Sequence, residues 1–178
     1  MQRRLATVVG VIGVVLGISV LARQSQPPAG RMPDHMEHRF DDPERYAKEF
    51  DDPARDAWQM PDRVIATLGL KAGQSVADIG AGTGYFSMRL AKSRESPTVY
   101  AVDIEPSMVK YLTTRAAKEG LKNVVPVQAS ADSPHLPVPV DVVLVVDTYH
   151  HISDRAAYFR KLRAGLKPAG RLKFTNEP

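Results

Sequence analysis

From Ser75 onward the chain alternates two patterns. Short apolar runs, Ser75–Ile79, Thr98–Asp103, Asn123–Gln128, Val140–Asp147 and Arg171–Thr175, read as strands. Between them, apolar residues recur at helical spacing in Thr83–Lys92, where Phe86, Leu90 and Ala91 share a face, in Pro106–Glu119 and in Ser153–Lys167. Pro106 opens the second of these helices and Gly120 ends it. The run VVLVV at Val142–Val146 has no polar alternation, as expected of a strand covered on both faces. Strands alternating with helices at this spacing predict a doubly wound, Rossmann-like α/β fold with a parallel sheet and right-handed crossovers. Pro126 lies inside the third run and cannot donate to a ladder, so that strand belongs at an edge. The order 3-2-1-4-5 places it there. The stretch Ala129–Pro139 holds Pro134, Pro137 and Pro139, which argues against a regular helix in that crossover. The sequence KPAG, Lys167–Gly170, reads as a turn before the last strand.

Ahead of this alternation the pattern changes. Leu5–Ala22 carries no charge and follows Arg3 and Arg4. Residues 1–23 therefore read as a signal peptide or a membrane anchor. Val20-Leu21-Ala22 supplies small residues for cleavage, and Arg23, Arg31 and Arg39 nearly balance the arginines on the other side. The protein is expected to be membrane-anchored through this segment or exported to the periplasm, with the side of the membrane left open. Residues 24–39 read as a Pro-containing linker, and 40–178 as the folded domain. His35 and His38, at i, i+3 spacing beside Glu37, read as part of that solvated linker rather than as metal ligands. FDDPER at Phe40–Arg45 and FDDPAR at Phe50–Arg55 then repeat ten residues apart, each with an Asp to cap a helix and a Pro at its first position. The second helix runs on through Trp58, Pro61 restarts it with Val64, Ile65 and Leu68 on one face, and LKAG, Leu70–Gly73, closes it.

Composition narrows the classes. The absence of cysteine removes disulfides, thiolate zinc sites and thiol catalysis together. The net charge of +4 is spread along 178 residues without a basic block, so no nucleic-acid footprint is indicated. Nothing sets the oligomeric state.

The candidate chemistry begins at VADIGAGTGYF, Val76–Phe86, with three glycines in five residues directly after the first strand. A loop of this kind at the head of a helix presents backbone N–H groups and a positive dipole end, which suit an anionic group. Nineteen residues after Gly84, Asp103 ends the second strand, where a carboxylate can accept hydrogen bonds from both hydroxyls of a ribose. Loop and acid together point to a nucleoside-bearing ligand. A tight structural turn at the glycines and a helix cap at Asp103 are the alternative. The dinucleotide fingerprint is G-x-G-x-x-G; here the glycines are Gly80, Gly82 and Gly84, one residue tighter, which disfavours a nicotinamide oxidoreductase.

VADIGAGTGYF resembles motif I of class I S-adenosylmethionine-dependent methyltransferases, and VYAVDIEPSMV their second motif. DVVLVVDTYHHI, a helix, and LKPAGRL are similar to the later motifs. With its lead-in DDPARDAWQMPD, the chain looks most like the small bacterial ubiquinone/menaquinone-biosynthesis type, over roughly Asp62–Phe174. The resemblance implies S-adenosyl-L-methionine as cofactor and a small-molecule methyl acceptor. It implies that Asp78 and the loop Gly80, Ala81, Gly82, Thr83 and Gly84 hold the amino-acid part, that Asp103 holds the ribose, and that Ile104 packs on the adenine. Ala131 and Asp132 would contact the adenine edge, and Asp147 would lie near the methyl group. Transfer of a methyl group from a sulfonium needs positioning and exclusion of water more than covalent help. His150 or His151 could serve as general base for an acceptor that carries a proton, or could pack and cap the next helix. Trp58 and Tyr149 read as walls. The family usually adds two strands after the fifth, so the antiparallel edge is expected to be missing from a chain that stops at Pro178. Because S-adenosylmethionine is intracellular, an active enzyme would need its domain on the cytosolic side. A non-catalytic nucleoside-binding domain held at a membrane is the competing reading. An aminopropyltransferase on the same fold would want a second acid after the fourth strand, and DTYHH supplies only Asp147.

Overall fold

The computed structural model describes residues 42–175. The apolar stretch Leu5–Ala22, the linker and the His35/His38 pair lie outside the described residues. Five parallel strands form one sheet in the order β3-β2-β1-β4-β5. They are β1 (Ser75–Ile79), β2 (Thr98–Asp103), β3 (Val124–Gln128), β4 (Val140–Val146) and β5 (Leu166–Thr175). The helices are α1 (Pro43–Phe50), α2 (Asp56–Gln59), α3 (Pro61–Leu68), α4 (Tyr85–Lys92), α5 (Pro106–Lys118) and α6 (Arg155–Ala164). No helix among the described residues is long and apolar enough to cross a membrane.

Alternation along the strands divides the core between the two faces of the sheet. On one face Val76, Val99, Ala101, Val142 and Leu144 pack with residues of α3, α4 and α5. On the other Ala77, Ile79, Val102, Val143 and Val145 pack with Tyr158 and Leu162 of α6. Both faces of β1 and β4 are therefore dry, which explains their unbroken apolar runs. The edge position of Pro126 follows from the ladder. Val99 N donates to Asn123 O and Ala129 N to Asp103 O, each at 2.8 Å. Partners in a parallel ladder recur every second residue, so Pro126 turns its donorless nitrogen away from β2.

The structure departs from the sequence reading at three turns. Helix α3 ends at Leu68 because Gly69 takes the left-handed conformation (φ 54°), ahead of LKAG. Helix α4 starts at Tyr85, since Gly82 and Gly84 also have positive φ and cannot continue a helix backwards. KPAG lies within β5: Leu166 already pairs with Val140, the next paired residue is Arg171 with Val142, and the intervening residues bulge out. The crossover 129–139 contains no helix, only an isolated bridge between Ser130 and Ser133.

The FDDP repeat builds a strap ahead of the sheet. Asp42 caps α1 by accepting from Arg45 N, and Asp52 accepts from Ala54 N at the 3-10 turn Pro53–Arg55. That turn leads into α2, and Met60, left-handed at φ 45°, breaks α2 from α3. Two acids tie the strap down. Asp51 pairs with Arg115 of α5 at 2.7 Å, and Arg115 also donates to Thr83 O at 2.9 Å. Asp56 pairs with Arg89 of α4 at 3.0 Å and accepts from the Tyr85 hydroxyl.

Candidate active site

At the carboxyl ends of the strands, between β1 and β4, lies a cavity of about 740 Å³. This is the switch point of the sheet, where ligands of open α/β folds bind. The strap forms one wall with Phe50, Arg55 and Trp58, and the ends of β1, β2 and β4 form the floor.

The glycines hold that floor together. Gly80 has φ 72°, and a Cβ placed on it would meet Thr148 Oγ1 at 2.1 Å. Gly84 has φ 95°, and its Cβ would meet Leu112 Cδ2 at 2.8 Å and Met88 Cε at 2.9 Å. Four of the five loop amides, expected to be open to an anion, are used inside the protein instead. Gly80 N and Ala81 N both donate to Val102 O, and Gly84 N donates to Ala81 O. Gly82 N donates to Asp103 Oδ2 at 2.7 Å. The tight spacing of the glycines thus locks β1 to β2 and brings backbone close to the cavity. Thr83 Oγ1, in a residue only 1% exposed, lines the cavity and has no hydrogen-bond partner within the described residues. A buried hydroxyl of this kind is open to a partner from outside the chain, a water or a polar ligand.

Asp103 combines the two roles that its position allowed. Besides Gly82, it accepts from Glu105 N at 2.9 Å, a local turn bond just before α5. Two backbone donors leave a carboxylate with further lone pairs, and Asp103 lines the cavity while only 7% exposed. Burial pushes its pKa up, and the bonds from Glu105 and Gly82 hold it down in part. Ile104, half exposed, presents a flat apolar flank beside it, and Ala129, Ser130 and Ala131 line the facing side. Asp132 is placed elsewhere. It is not among the lining residues, but pairs with Lys161 and accepts from Ser130 Oγ at 2.6 Å, and its pKa is pulled down to about 2, mainly by Lys161.

Asp78 sits beneath the loop, accepting from Ser87 Oγ at 2.6 Å. Burial raises its pKa to about 6, against the Ser87 bond, and the neighbouring Asp103 charge pushes the same way. The folded state keeps this proton to higher pH than the unfolded chain, so stability is lost as pH rises from about 4 to about 6. Two pKa units correspond to roughly 3 kcal/mol. Asp78→Asn is therefore expected to flatten the pH dependence of the denaturation midpoint across that window. An unchanged slope would place the titration on another group.

The remaining expected residues are at the rim. Asp147, directly after β4, has φ 49° and lies 3.5 Å from Arg55 Nη2 across the cavity. His150 and His151 lie on the exposed 3-10 turn Tyr149–His151, with ring centroids 4.1 Å apart, and both line the cavity with Tyr149. Trp58 and Tyr149 are walls, each 39% exposed. The sequence reading missed Arg55, Phe50 and Tyr158 as lining residues. The repeated FDDPAR carries the first two, but its Asp-Pro caps account for the motif locally and hide that role.

Residues 76–170 match the family model described as a methyltransferase domain. The chain belongs to the methyltransferase domain family. It is 33% identical over 117 residues to a 27-O-demethylrifamycin SV methyltransferase of Amycolatopsis mediterranei, covering 64% of this chain and 42% of that one. The fold matches a SAM-dependent methyltransferase from Aquifex aeolicus with a TM-score of 0.67 and 33% identity, over 75% of this chain and 71% of that one. A phosphoethanolamine N-methyltransferase from Haemonchus contortus, solved with S-adenosylhomocysteine, matches with a TM-score of 0.58 and 28% identity, over 66% of this chain and 28% of that one. The chain spans 41–62% of the length of the first curated relatives it matches. The family is that of the class I fold, whose cofactor is S-adenosyl-L-methionine. The residues in the cavity fit it: a buried acid at the end of β2, an open apolar flank at Ile104, and a buried hydroxyl at Thr83.

Proposed function

We propose that this protein transfers a methyl group from S-adenosyl-L-methionine to a small-molecule acceptor. The observation that carries the reading is Asp103, a buried carboxylate pinned to the glycine loop and lining the switch-point cavity. Its remaining lone pairs receive the ribose hydroxyls. Ile104 and Ala131 flank the adenine, and Thr83 and Asp78 face the amino-acid part. Bound there, the cofactor supplies an electrophilic methyl on a cationic sulfur.

The chain's own part is then to position and to exclude water. Phe50 and Trp58 of the strap cover the cavity from one side, and Tyr149 narrows it from the other. Asp147, beside Arg55 in the cavity lining, would lie near the methionine end of the cofactor. The acceptor enters past His150 and His151, and either imidazole takes the proton of a hydroxyl or amine acceptor as the new bond forms.

Incubating the full chain with methyl-labelled cofactor and panels of phenols, carboxylates and amines tests this. Label is expected in one acceptor class, with a rate that falls for His150→Ala or His151→Ala when the acceptor carries a proton. Binding of S-adenosylhomocysteine without label transfer to any panel member would favour the non-catalytic binding domain.

A further inference from the structure

The cavity has an unusual balance of charge. Glu49, Asp78, Asp103 and Asp147 line it, and Arg55 is the one Lys or Arg among its described lining residues. A cofactor ending in an amino acid brings one anion, its carboxylate. Four of the five amides of the loop, those of Gly80, Ala81, Gly82 and Gly84, already have partners within the protein. We propose that Arg55 receives the carboxylate of the cofactor's amino-acid end, with Asp147 beside it for the cationic part of the same group. This rests on S-adenosyl-L-methionine as the ligand.

The geometry around Arg55 is that of an aimed group. Its Nη1 donates to Phe50 O at 3.0 Å, and its Nη2 and Nε donate to Gln59 Oε1 at 3.2 and 3.4 Å. The guanidinium carbon lies 4.2 Å from the centre of the Tyr85 ring. These contacts fix the plane of the fork on the strap side, while Nη2 lies 3.5 Å from Asp147 Oδ2 at the end of β4. A planar fork held in this way is suited to a carboxylate. The strap also has anchors apart from Arg55, in Asp51–Arg115 and Asp56–Arg89. Its charge reaches the buried Asp78 as well, so one cation stands among the acids on which the cofactor's ammonium and sulfonium would settle.

The test compares two ligands on the full chain by calorimetry: S-adenosylhomocysteine, and 5′-methylthioadenosine, which keeps the adenosine and the thioether but lacks the amino acid. Arg55→Gln is expected to weaken S-adenosylhomocysteine by about 10- to 100-fold, as for a lost charged hydrogen bond. Affinity for methylthioadenosine should stay within about threefold of wild type, a change well under one charged hydrogen bond. Arg55→Lys should recover part of the loss. If Arg55→Gln does not fold, the same selective loss is read in Arg55→Lys, which keeps the charge and loses the fork. Equal losses for the two ligands, or a wild type that gains nothing from the amino-acid end, would overturn the assignment. A wild type that binds methylthioadenosine tightly but loses both ligands equally on substitution leaves the nucleoside site standing and Arg55 as a strap residue. A wild type that binds neither ligand removes the cofactor reading itself.

Discussion

Gly80→Ala is expected to lower stability by about 2–5 kcal/mol, the largest effect of any single-methyl change in the site. Two contributions add. A left-handed residue with a Cβ costs roughly 1–2 kcal/mol, and Gly80 sits at φ 72°. The added carbon would also lie 2.1 Å from Thr148 Oγ1 and 2.5 Å from Thr148 Cγ2. Thr148 cannot simply rotate away, because its hydroxyl donates to Val146 O at 2.8 Å. Overpacking of this kind adds roughly 1–3 kcal/mol. For a domain of this size the melting temperature should fall by on the order of 10 °C. Thr148→Gly removes the obstructing side chain, so the double variant should be more stable than the sum of the two single losses predicts. Additive losses, or a Gly80→Ala protein within about 0.5 kcal/mol of wild type, would show that the loop is not wedged against β4.

Asp103→Ala should act on binding more than on folding. The substitution removes the acceptor of the ribose hydroxyls, and affinity for S-adenosylhomocysteine should fall by about 1–3 kcal/mol. It also strips Gly82 N and Glu105 N of their partner, which acts against stability. That loss is offset by removing a buried carboxylate whose pKa burial has raised. The net change in unfolding free energy is therefore expected to be smaller than the change in binding. Asp103→Asn keeps one acceptor oxygen and should fall between. Calorimetry and thermal melts on the same preparations decide. A lowered melting temperature with unchanged affinity would leave Asp103 as a tie between loop and α5.

Much of this arrangement was legible because it depends on local signals. The strands Ser75–Ile79 and Thr98–Asp103 fall where the apolar runs end, the first at Gly80 and the second at the polar Asp103 that closes it. Pro126 gave the edge of the sheet because a missing donor has one consequence in a ladder. Asp103 and the glycines could be placed because they follow strands, and strand ends converge at the switch point. What could not be read was whatever depends on a second segment. The loop amides looked available for a ligand, and only the register of β1 on β2 shows Val102 O occupying two of them. Asp132 follows Ala131 in sequence, but Lys161 of α6 draws it off the cavity. Arg55 belonged to a repeat whose Asp-Pro pairs explained it locally. Its place across the cavity from Asp147 depends on a strap that crosses about ninety residues of chain to reach β4. KPAG looked like a turn because proline and glycine mark turns, whereas Leu166 had already joined the ladder one step earlier.

The glycine loop and Asp103 are proposed to form the S-adenosyl-L-methionine site. Its most direct test is a calorimetric titration of the full chain with S-adenosylhomocysteine and, in parallel, with NAD. Saturable one-site binding of S-adenosylhomocysteine that Asp103→Ala weakens is expected, with little or no heat from NAD. Tighter binding of NAD, or no binding of S-adenosylhomocysteine by the folded protein, would contradict it.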